Sequence, residues 1–269
     1  MIEKIIEHFN AGNLQRAIDE SNQLVANNPR DLKPRIVLAQ LICFTGNWDR
    51  AAKVVEQLKT LDSSQEQTPL VNFLGAMIAA EVQRSQVWLE GALPEFVESP
   101  SEVESKLLWA WNCRRSGEIE QYQEAMQYVM DNAPTCTLQR ESKKLAGFRD
   151  LDDMTATILE AHSIHGAHYW LPIASVEKLD VAQPTRPIDF LWNSVRLTLR
   201  NGQEARMYIP GTYFHTFSQD SDELKLGRTS EWVTDESGAE IALGRKVFVA
   251  DEDEFTLFDF TETEISVGS

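Results

Sequence analysis

Hydrophobic and polar positions in the first half of the chain recur with a helical period and at a fixed longer spacing. The segment "GNLQRA", beginning at Gly12, is echoed by "GNWDRA", beginning at Gly46, so the two glycines are 34 residues apart. Glycine suits the turn that ends a helix, where positive φ is favoured. Ala17 and Ala51 fall early in the following helices, where a small side chain allows close packing. A 34-residue period is typical of tetratricopeptide (TPR) repeats, so the pattern predicts TPR-like antiparallel helix pairs.

Further signals place the boundaries of these pairs. Pro29 in "NNPRD" closes the first pair, and Asp31 is predicted to cap the next helix. A third copy is weaker: "SGEIEQYQEAMQYVMDNAP" keeps the glycine as Gly117 but has Tyr122 in place of the alanine. The pair between them is irregular, although "LVNFLGAMIAA" predicts a buried helix. A generic helical bundle remains the alternative to a repeat array.

The second half changes to a period of two. In "SVRLTLRNGQEARMYIP" apolar and polar residues alternate on both sides of an Asn-Gly pair, which predicts a β-hairpin with one buried face. A two-residue turn would place Arg206 opposite Leu197, on the apolar face. A three-residue loop over 200–202, with its glycine left-handed, instead pairs Leu197 with Ala205 and Val195 with Met207. The second register buries one consistent face and is therefore predicted.

Other segments complete the predicted second region. Strands are expected in "HYWLPIASVEKLDV", "EWVTD", "KVFVA" and "FTLFDF", while "KKLAGFRDLDDMTATILEAH" is expected to form a turn and a last helix. Short connections predict mostly antiparallel pairing. The sequence thus predicts an α+β fold in two regions, a TPR-like helical domain over 1–147 and a β-rich α+β domain over 148–269.

Composition narrows the functional classes. Apolar residues make up 42% of the chain, and no apolar run is long enough to span a membrane or to act as a signal peptide. Cys43, Cys113 and Cys136 are far apart, which fits a reducing compartment and argues against a zinc site. The net charge of −17, distributed as −5 over 1–150 and −12 over 151–269, argues against nucleic-acid binding. Basic or amphipathic protein partners are favoured.

Candidate catalytic chemistry is sparse. The chain has no Walker loop, GxGxxG, GxSxG or HExxH motif, and no catalytic, cofactor-binding or metal-binding residue is assigned. His162, His165 and His168 are spaced by three, which is more typical of a helix end than of a metal site. Asp152 is expected at a helix N-terminus. A hydrolase or metal-dependent enzyme with a site near His162, His165 and Asp152 is the alternative hypothesis.

Two polar segments remain. In "LGRTSEW", Arg228 and Trp232 are four residues apart and are candidates for a cation–π pair or a partner anchor. Alternatively, Trp232 fills the sheet core while Arg228 bonds to carbonyls or a carboxylate. The acidic run in "ADEDEF" is expected to be a solvated hairpin tip.

Several segments in order carry a family resemblance. These are "LDDM", "YWLP", "RPIDFLW", the Asn-Gly hairpin, "IPGTY" and "LGRTSEW". Together they make the sequence similar to the ImpE family, also called TagJ or SciE-type proteins, which are accessory components of bacterial type VI secretion. Ile188, Phe190 and Glu231 depart from the residues more frequent in that family.

The resemblance implies a non-catalytic, cytoplasmic bacterial protein. It implies binding to the small subunit of a contractile sheath, through that subunit's N-terminal helix, and a link to sheath recycling by an AAA+ unfoldase. By the geometry of the repeats, Gln40 and Phe44 are expected to line a groove for this helix, with Arg228 and Trp232 as further contacts. A general peptide-binding chaperone is a further alternative.

Overall fold

The computed structural model describes residues 2–62, 65–140 and 143–268. The helices are α1 Ile2–Asn10, α2 Leu14–Asn27, α3 Leu32–Cys43, α4 Trp48–Leu61, α5 Thr68–Ser85, α6 Glu102–Arg115, α7 Ile119–Asn132 and the short α8 Asp222–Lys225. The strands are β1 Cys136–Arg140, β2 Lys143–Ala146, β3 Arg149–Asp150, β4 Ile158–His162, β5 His168–Pro172, β6 Val176–Val181, β7 Trp192–Leu199, β8 Glu204–Pro210, β9 Ser230–Thr234, β10 Glu240–Gly244, β11 Val247–Ala250, β12 Asp253–Thr256 and β13 Thr263–Val267. Within the described residues, no helix is long and apolar enough to cross a membrane.

Most consecutive helices of the first region pack against each other, as the repeat predicts: α1 on α2, α2 on α3, α3 on α4, α4 on α5, and α6 on α7. Gly12, Gly46 and Gly117 have φ of +83°, +70° and +76° and end α1, α3 and α6. The Asp31 carboxylate accepts a hydrogen bond from the backbone N–H of Lys33 and caps α3, as expected. The α+β fold class and the helical first region are therefore confirmed.

Helix α5 corresponds to the irregular segment of the repeat. It is buried through Val71, Leu74, Met77 and Ile78, and it continues into a π-helical turn over 86–90. Gly166, in the turn between β4 and β5, lies against the backbone of α5: a Cβ at Gly166 would be 3.1 Å from the carbonyl oxygen of Ala76. The helix thus connects the repeat-like region with the sheet.

The strands form a twisted antiparallel sheet in the order β2-β1-β13-β6-β7-β8-β4-β5, with a smaller sheet β12-β11-β3 and a hairpin β9–β10. Every pairing between the named strands is antiparallel. The β7–β8 hairpin has the predicted register, with Val195 opposite Met207 and Leu197 opposite Ala205. The Leu199 N–H donates to the Gln203 carbonyl oxygen at 2.8 Å, which leaves 200–202 as the predicted three-residue loop, with Gly202 at φ of +85°.

The prediction of a helix in "KKLAGFRDLDDMTATILEAH" is wrong. This segment forms β2, β3, a short 3₁₀ turn over 153–155 and β4. All five residues of β4 are buried, so the strand lacks the alternation by which a half-exposed strand is identified. Strands β1, β2, β10 and β13 were also not expected, and the strand-rich region begins at Cys136, ahead of the boundary drawn at 148.

Other strand predictions hold with small adjustments. "HYWLPIASVEKLDV" forms β5 and β6 with a 3₁₀ turn between them, and "EWVTD" and "KVFVA" form β9 and β11. In "FTLFDF" the strand ends at Thr256 and a 3₁₀ turn follows. The acidic run is the tip of the β11–β12 hairpin, where Asp251 has φ of +50°.

Candidate functional site

The inner face of the first helix pairs is covered by the chain's own second region. Ile188, Leu191 and Trp192 belong to the same hydrophobic core as residues of α1 to α5. The Phe217 side chain lies over the turn at Gly46, where a Cβ would come within 2.6 Å of the Phe217 Cβ. The face that a repeat array presents to a partner is therefore an internal interface here.

This interface determines where the four predicted partner-binding residues lie. Gln40 is half-buried on α3, and Phe44 is 1% exposed with its ring 5.2 Å from that of Phe9. Arg228 does not stack on Trp232; its Nη2 donates to the carbonyl oxygens of Phe9 and Asn10, at 2.7 and 2.8 Å. Arg228 thus meets the negative end of α1, the alternative considered above.

Trp232 lies elsewhere. It does not fill the sheet core, because its side chain is 41% exposed on strand β9, next to Val233 at 49%. Strand β9 pairs with β10 in a two-stranded hairpin. Of the four predicted residues, Trp232 offers an exposed apolar surface, whereas Phe44 offers none.

Three of the segments that carry the resemblance converge on one pocket, which we call the arginine pocket. Its cavity volume is about 350 Å³. Its lining comes from α1, "RPIDFLW", β7, "IPGTY", "LGRTSEW" and the β10–β11 and β12–β13 connections: Phe9, Asn10, Phe190, Asn193, Gly211, Leu226, Gly227, Arg228, Arg245, Leu257 and Phe258. Sequence reasoning identified Arg228 but missed Arg245, because only the folded chain places the two together.

A longer concavity, the α6–α7 groove, lies between the helix pair α6–α7 and the sheet. Its volume is about 640 Å³, and it adjoins a cavity of about 150 Å³ that shares Val103, Glu104, Pro134, Pro172 and Ala174 with it. Phe96, Val97 and Pro172 supply apolar surface, and Glu98 and Glu102 supply carboxylates.

Beneath α5 lies a buried ionic cluster, formed by Glu81, Arg84, Asp150, Glu160 and Lys246. Arg84 Nη2 is 2.6 Å from Glu160 Oε2 and its Nη1 is 3.4 Å from Glu81 Oε2. The Lys246 Nζ lies 3.3 Å from Glu160 and 3.2 Å from Asp150. The cluster therefore joins α5, β3, β4 and the start of β11.

The ionic partners set the protonation states of the cluster. Burial by itself would raise the pKa of Glu160, but the nearby Arg84 and Lys246 charges hold it well below its usual range. Burial is likewise outweighed at Glu81, where Arg84 and His162 bring the pKa to about 2. Both carboxylates are thus ionised at neutral pH. Indole N–H groups complete their shells, from Trp88 to Glu160 at 2.7 Å and from Trp192 to Glu81 at 3.0 Å.

The histidine spacing has a different origin from the one expected. His162 and His168 face each other across the β4–β5 hairpin with their Nδ1 atoms 3.2 Å apart, and both are buried. His165 lies in the turn between them. Burial lowers the pKa of His168 to about 3. His162 and His168 belong to the packing beneath α5, and the helix end expected for the three histidines is wrong.

The carboxylate of the enzyme hypothesis has other partners. Asp152 caps the 3₁₀ turn through Met154 N–H and accepts a hydrogen bond from Ala242 N–H at 2.9 Å. Burial, with Asp150 nearby, raises its pKa to about 7. In the described part of the chain, no group of three or more His, Cys, Asp or Glu side chains is arranged to hold a metal ion. Both oxygens of the Asp152 carboxylate accept hydrogen bonds from backbone N–H groups.

Sequence reasoning missed Glu81, Arg84 and Glu160. A signal for the first two was present, since an acid and a base three residues apart follow the apolar run "LVNFLGAMIAA" and must be buried with it. Glu160 gave none, because one carboxylate in a short segment does not reveal its distant partner.

The helix pairs, the antiparallel sheet packed across their inner face and the motif-lined pocket define an α+β protein of two regions with TPR-like repeats. The sequence model of the family described as "ImpE protein" matches residues 142–264. A curated protein from Pseudomonas aeruginosa, named "Type VI secretion system accessory component TagJ", is 30% identical over 258 residues, which cover 96% of this chain and 89% of that protein. This chain belongs to the ImpE (TagJ) family.

A solved structure has the same fold. The crystal structure of protein VPA1032 from Vibrio parahaemolyticus superposes with a TM-score of 0.88, covering 99% of this chain and 98% of that one, at 22% sequence identity. Both regions and their relative placement therefore recur in a crystal structure.

Proposed function

We propose that this protein is a non-catalytic accessory protein of type VI secretion that binds the N-terminal helix of the small sheath subunit. Family membership and the name of the Pseudomonas aeruginosa relative support the accessory role. In this proposal the helix docks in the α6–α7 groove, because the inner face of the first repeats is already covered by the second region.

The observation that carries the proposal is the chemistry of this groove. Phe96 and Pro172 are partly exposed, and Val97 beside them is 42% exposed. Exposed carboxylates stand at Glu98 and Glu102. An amphipathic helix places apolar side chains at i, i+3, i+4 and i+7 on one face. A helix with an apolar face and flanking basic residues fits this apolar, acid-rimmed surface.

Two further elements belong to the proposal. The protein acts in the bacterial cytoplasm, where it connects the sheath subunit with the AAA+ unfoldase that recycles the sheath. Trp232 is a second contact outside the groove, since its exposed indole on β9 gives a large apolar surface of the kind enriched at interfaces.

Binding experiments with the sheath subunit test the proposal. The purified protein is mixed with the small subunit, either complete or lacking its N-terminal helix, and the affinities are measured by calorimetry. We expect the complete subunit to bind and the truncated one to lose most of its affinity. Equal binding of both would refute helix docking, and equal binding of unrelated amphipathic peptides would favour a general chaperone instead.

A further inference from the structure

The arginine pocket contains a cation without a partner. Within the described part of the chain, the Arg245 guanidinium makes no hydrogen bond or ion pair, and its Nε is buried without an acceptor. We propose that this pocket binds the carboxylate of an N-acylated apolar amino acid, as found at the C-terminus of a peptide. The site shares no lining residue with the α6–α7 groove, so it does not depend on the proposed function.

The two arginines of the pocket have different roles. Arg228 is fixed in place by two carbonyl oxygens of α1, and its Nη1 is 3.7 Å from a Glu223 carboxylate oxygen. Its charge is therefore partly balanced within the protein. Among the residues that the structure describes, Arg245 has no such counter-charge, and a guanidinium presents a planar fork of N–H donors that matches a carboxylate. The pocket consequently attracts an anion, and Arg245 is the group that receives it.

A second unpartnered atom narrows the ligand class. Asn193 is 1% exposed and lines the same pocket; its Nδ2 donates to the Ile209 carbonyl, while its Oδ1 is buried without a donor. A simple inorganic anion would satisfy Arg245 and leave Asn193 unchanged. An N-acylated amino acid carries an acceptor and a donor two bonds apart, the carboxylate and the amide N–H, and so matches both needs.

The remaining lining selects an apolar side chain. Phe190 is 43% exposed, and its ring packs edge-on against Phe258 with centroids 5.5 Å apart. Leu226 and Leu257 complete the apolar wall. A volume of about 350 Å³ is near the lower end for small-molecule pockets and suits a residue or two, not a helix.

Gly211 lets two walls of this pocket approach each other. A Cβ at that position would lie 2.1 Å from the Phe190 carbonyl oxygen and 2.7 Å from Asn193 Nδ2. Because no larger residue fits without movement, the backbone there keeps Asn193 and Phe190 in place around the cavity.

The test compares acids with their neutral amides on the full-length protein. The probes are N-acetyl-leucine and N-acetyl-leucinamide, and a short Gly-Ser peptide ending in leucine as free acid and as amide, followed by NMR titration. We expect saturable binding of the acids and about tenfold or greater weakening for the amides. If N-acetyl-leucine binds as well as the peptide acid, the site takes small carboxylates; if the peptide acid binds more tightly, the site takes chain termini. Both results support the carboxylate site.

Variants locate the binding. Arg245→Gln should lower the affinity for the acids about tenfold or more. Arg245→Lys keeps the positive charge without the planar fork of N–H donors, so its affinity for the acids should lie between those of wild type and Arg245→Gln. Both should fold, since the guanidinium makes no bond within the described protein, and unfolding midpoints check this. Arg196→Gln is the matched control, because Arg196 is 77% exposed on β7, and it should bind like wild type. Any of three results would overturn the proposal. These are no saturable binding of any acid, equal affinity for acids and amides, and wild-type affinity for the acids in Arg245→Gln.

Discussion

The Arg84 guanidinium lies 2.6 Å from the Glu160 carboxylate, and both side chains are almost completely buried. The two residues belong to α5 and β4, so one ion pair connects the helical region with the sheet. Lys246 and Glu81 extend the pair on either side. The relative placement of the two regions therefore depends on charges that only their mutual contact brings together.

Removing one member of this pair should be costly. Arg84→Met removes a positive charge that balances the buried carboxylates of Glu160 and Glu81. We therefore expect the free energy of unfolding to fall by about 3–5 kcal/mol. Urea denaturation measures the change. The matched control is Lys178→Met, which breaks a 3.2 Å pair with Glu264 whose side chains are each about half exposed. The control should lose less than about 1 kcal/mol. Similar losses of unfolding free energy in the two variants would show that the buried ion pair does not stabilise the contact between the two regions.

A buried histidine predicts a pH dependence. His215 lies beside Trp88 and Trp111, and burial, together with the Arg114 and Arg84 charges, lowers its pKa from 6.5 to about 4. As the pH falls below about 6.5, the unfolded chain takes up a proton there that the folded protein does not. His215 therefore lowers the free energy of unfolding by an increasing amount as the pH falls towards about 4.

The variant His215→Phe isolates this effect, since phenylalanine keeps an aromatic ring among aromatic neighbours and does not titrate. Its free energy of unfolding relative to wild type should rise by about 2 kcal/mol between pH 7 and pH 5. The comparison uses the change with pH, so a constant packing difference cancels. A difference that stays the same at both pH values would contradict the lowered pKa.

Two repeat glycines differ in their surroundings although their backbones agree. Gly46 and Gly117 have φ of +70° and +76°, but a Cβ at Gly46 would meet Phe217, whereas a Cβ at Gly117 would have no neighbour within 4 Å. Gly117→Ala should cost about 1–2 kcal/mol for the left-handed backbone alone. Gly46→Ala should cost roughly 1–3 kcal/mol more, because it pushes against the second region. Thermal or urea unfolding compares the two, and equal costs would argue against tight packing at Gly46.

The exposed indole of Trp232 on β9 allows its proposed contact with the sheath subunit to be tested separately from docking of that subunit's N-terminal helix. Trp232→Ala should change the free energy of unfolding by less than about 1 kcal/mol, because the side chain is 41% exposed. We expect this variant to bind the complete small sheath subunit more weakly and its isolated N-terminal helix as well as wild type does. Calorimetry with both ligands measures this. Unaltered binding of the complete subunit would remove Trp232 from the interface.

Sequence patterns predicted those parts of the fold that depend on local chemistry. The glycine turns of the repeat and the three-residue hairpin loop at Gly202 follow from backbone sterics and from the parity of alternating side chains. Strand β4 escaped prediction because both of its faces are buried, so its charged residues appeared to belong to a helix. Periodicity alone does not distinguish these two cases.

The candidate sites were less predictable for a related reason. Arg228 stood out beside Trp232 in sequence, but its partners are carbonyls of α1 more than two hundred residues away. Arg245 has no local signal, and the α6–α7 groove exists only between segments distant in the chain. Concave surfaces of this kind are set by how whole elements pack, which no short motif encodes.

Binding of the sheath helix to variants of the α6–α7 groove tests whether the helix docks there. Val97→Asp places a charge on the exposed apolar side of the α6–α7 groove, and Ile164→Asp, at a similarly exposed position (46%) in the β4–β5 turn, is the matched control. The affinity for the N-terminal helix of the small sheath subunit is measured by calorimetry. We expect about tenfold or greater weakening for Val97→Asp and wild-type affinity for Ile164→Asp. Wild-type affinity in Val97→Asp, with both variants folded, would contradict it.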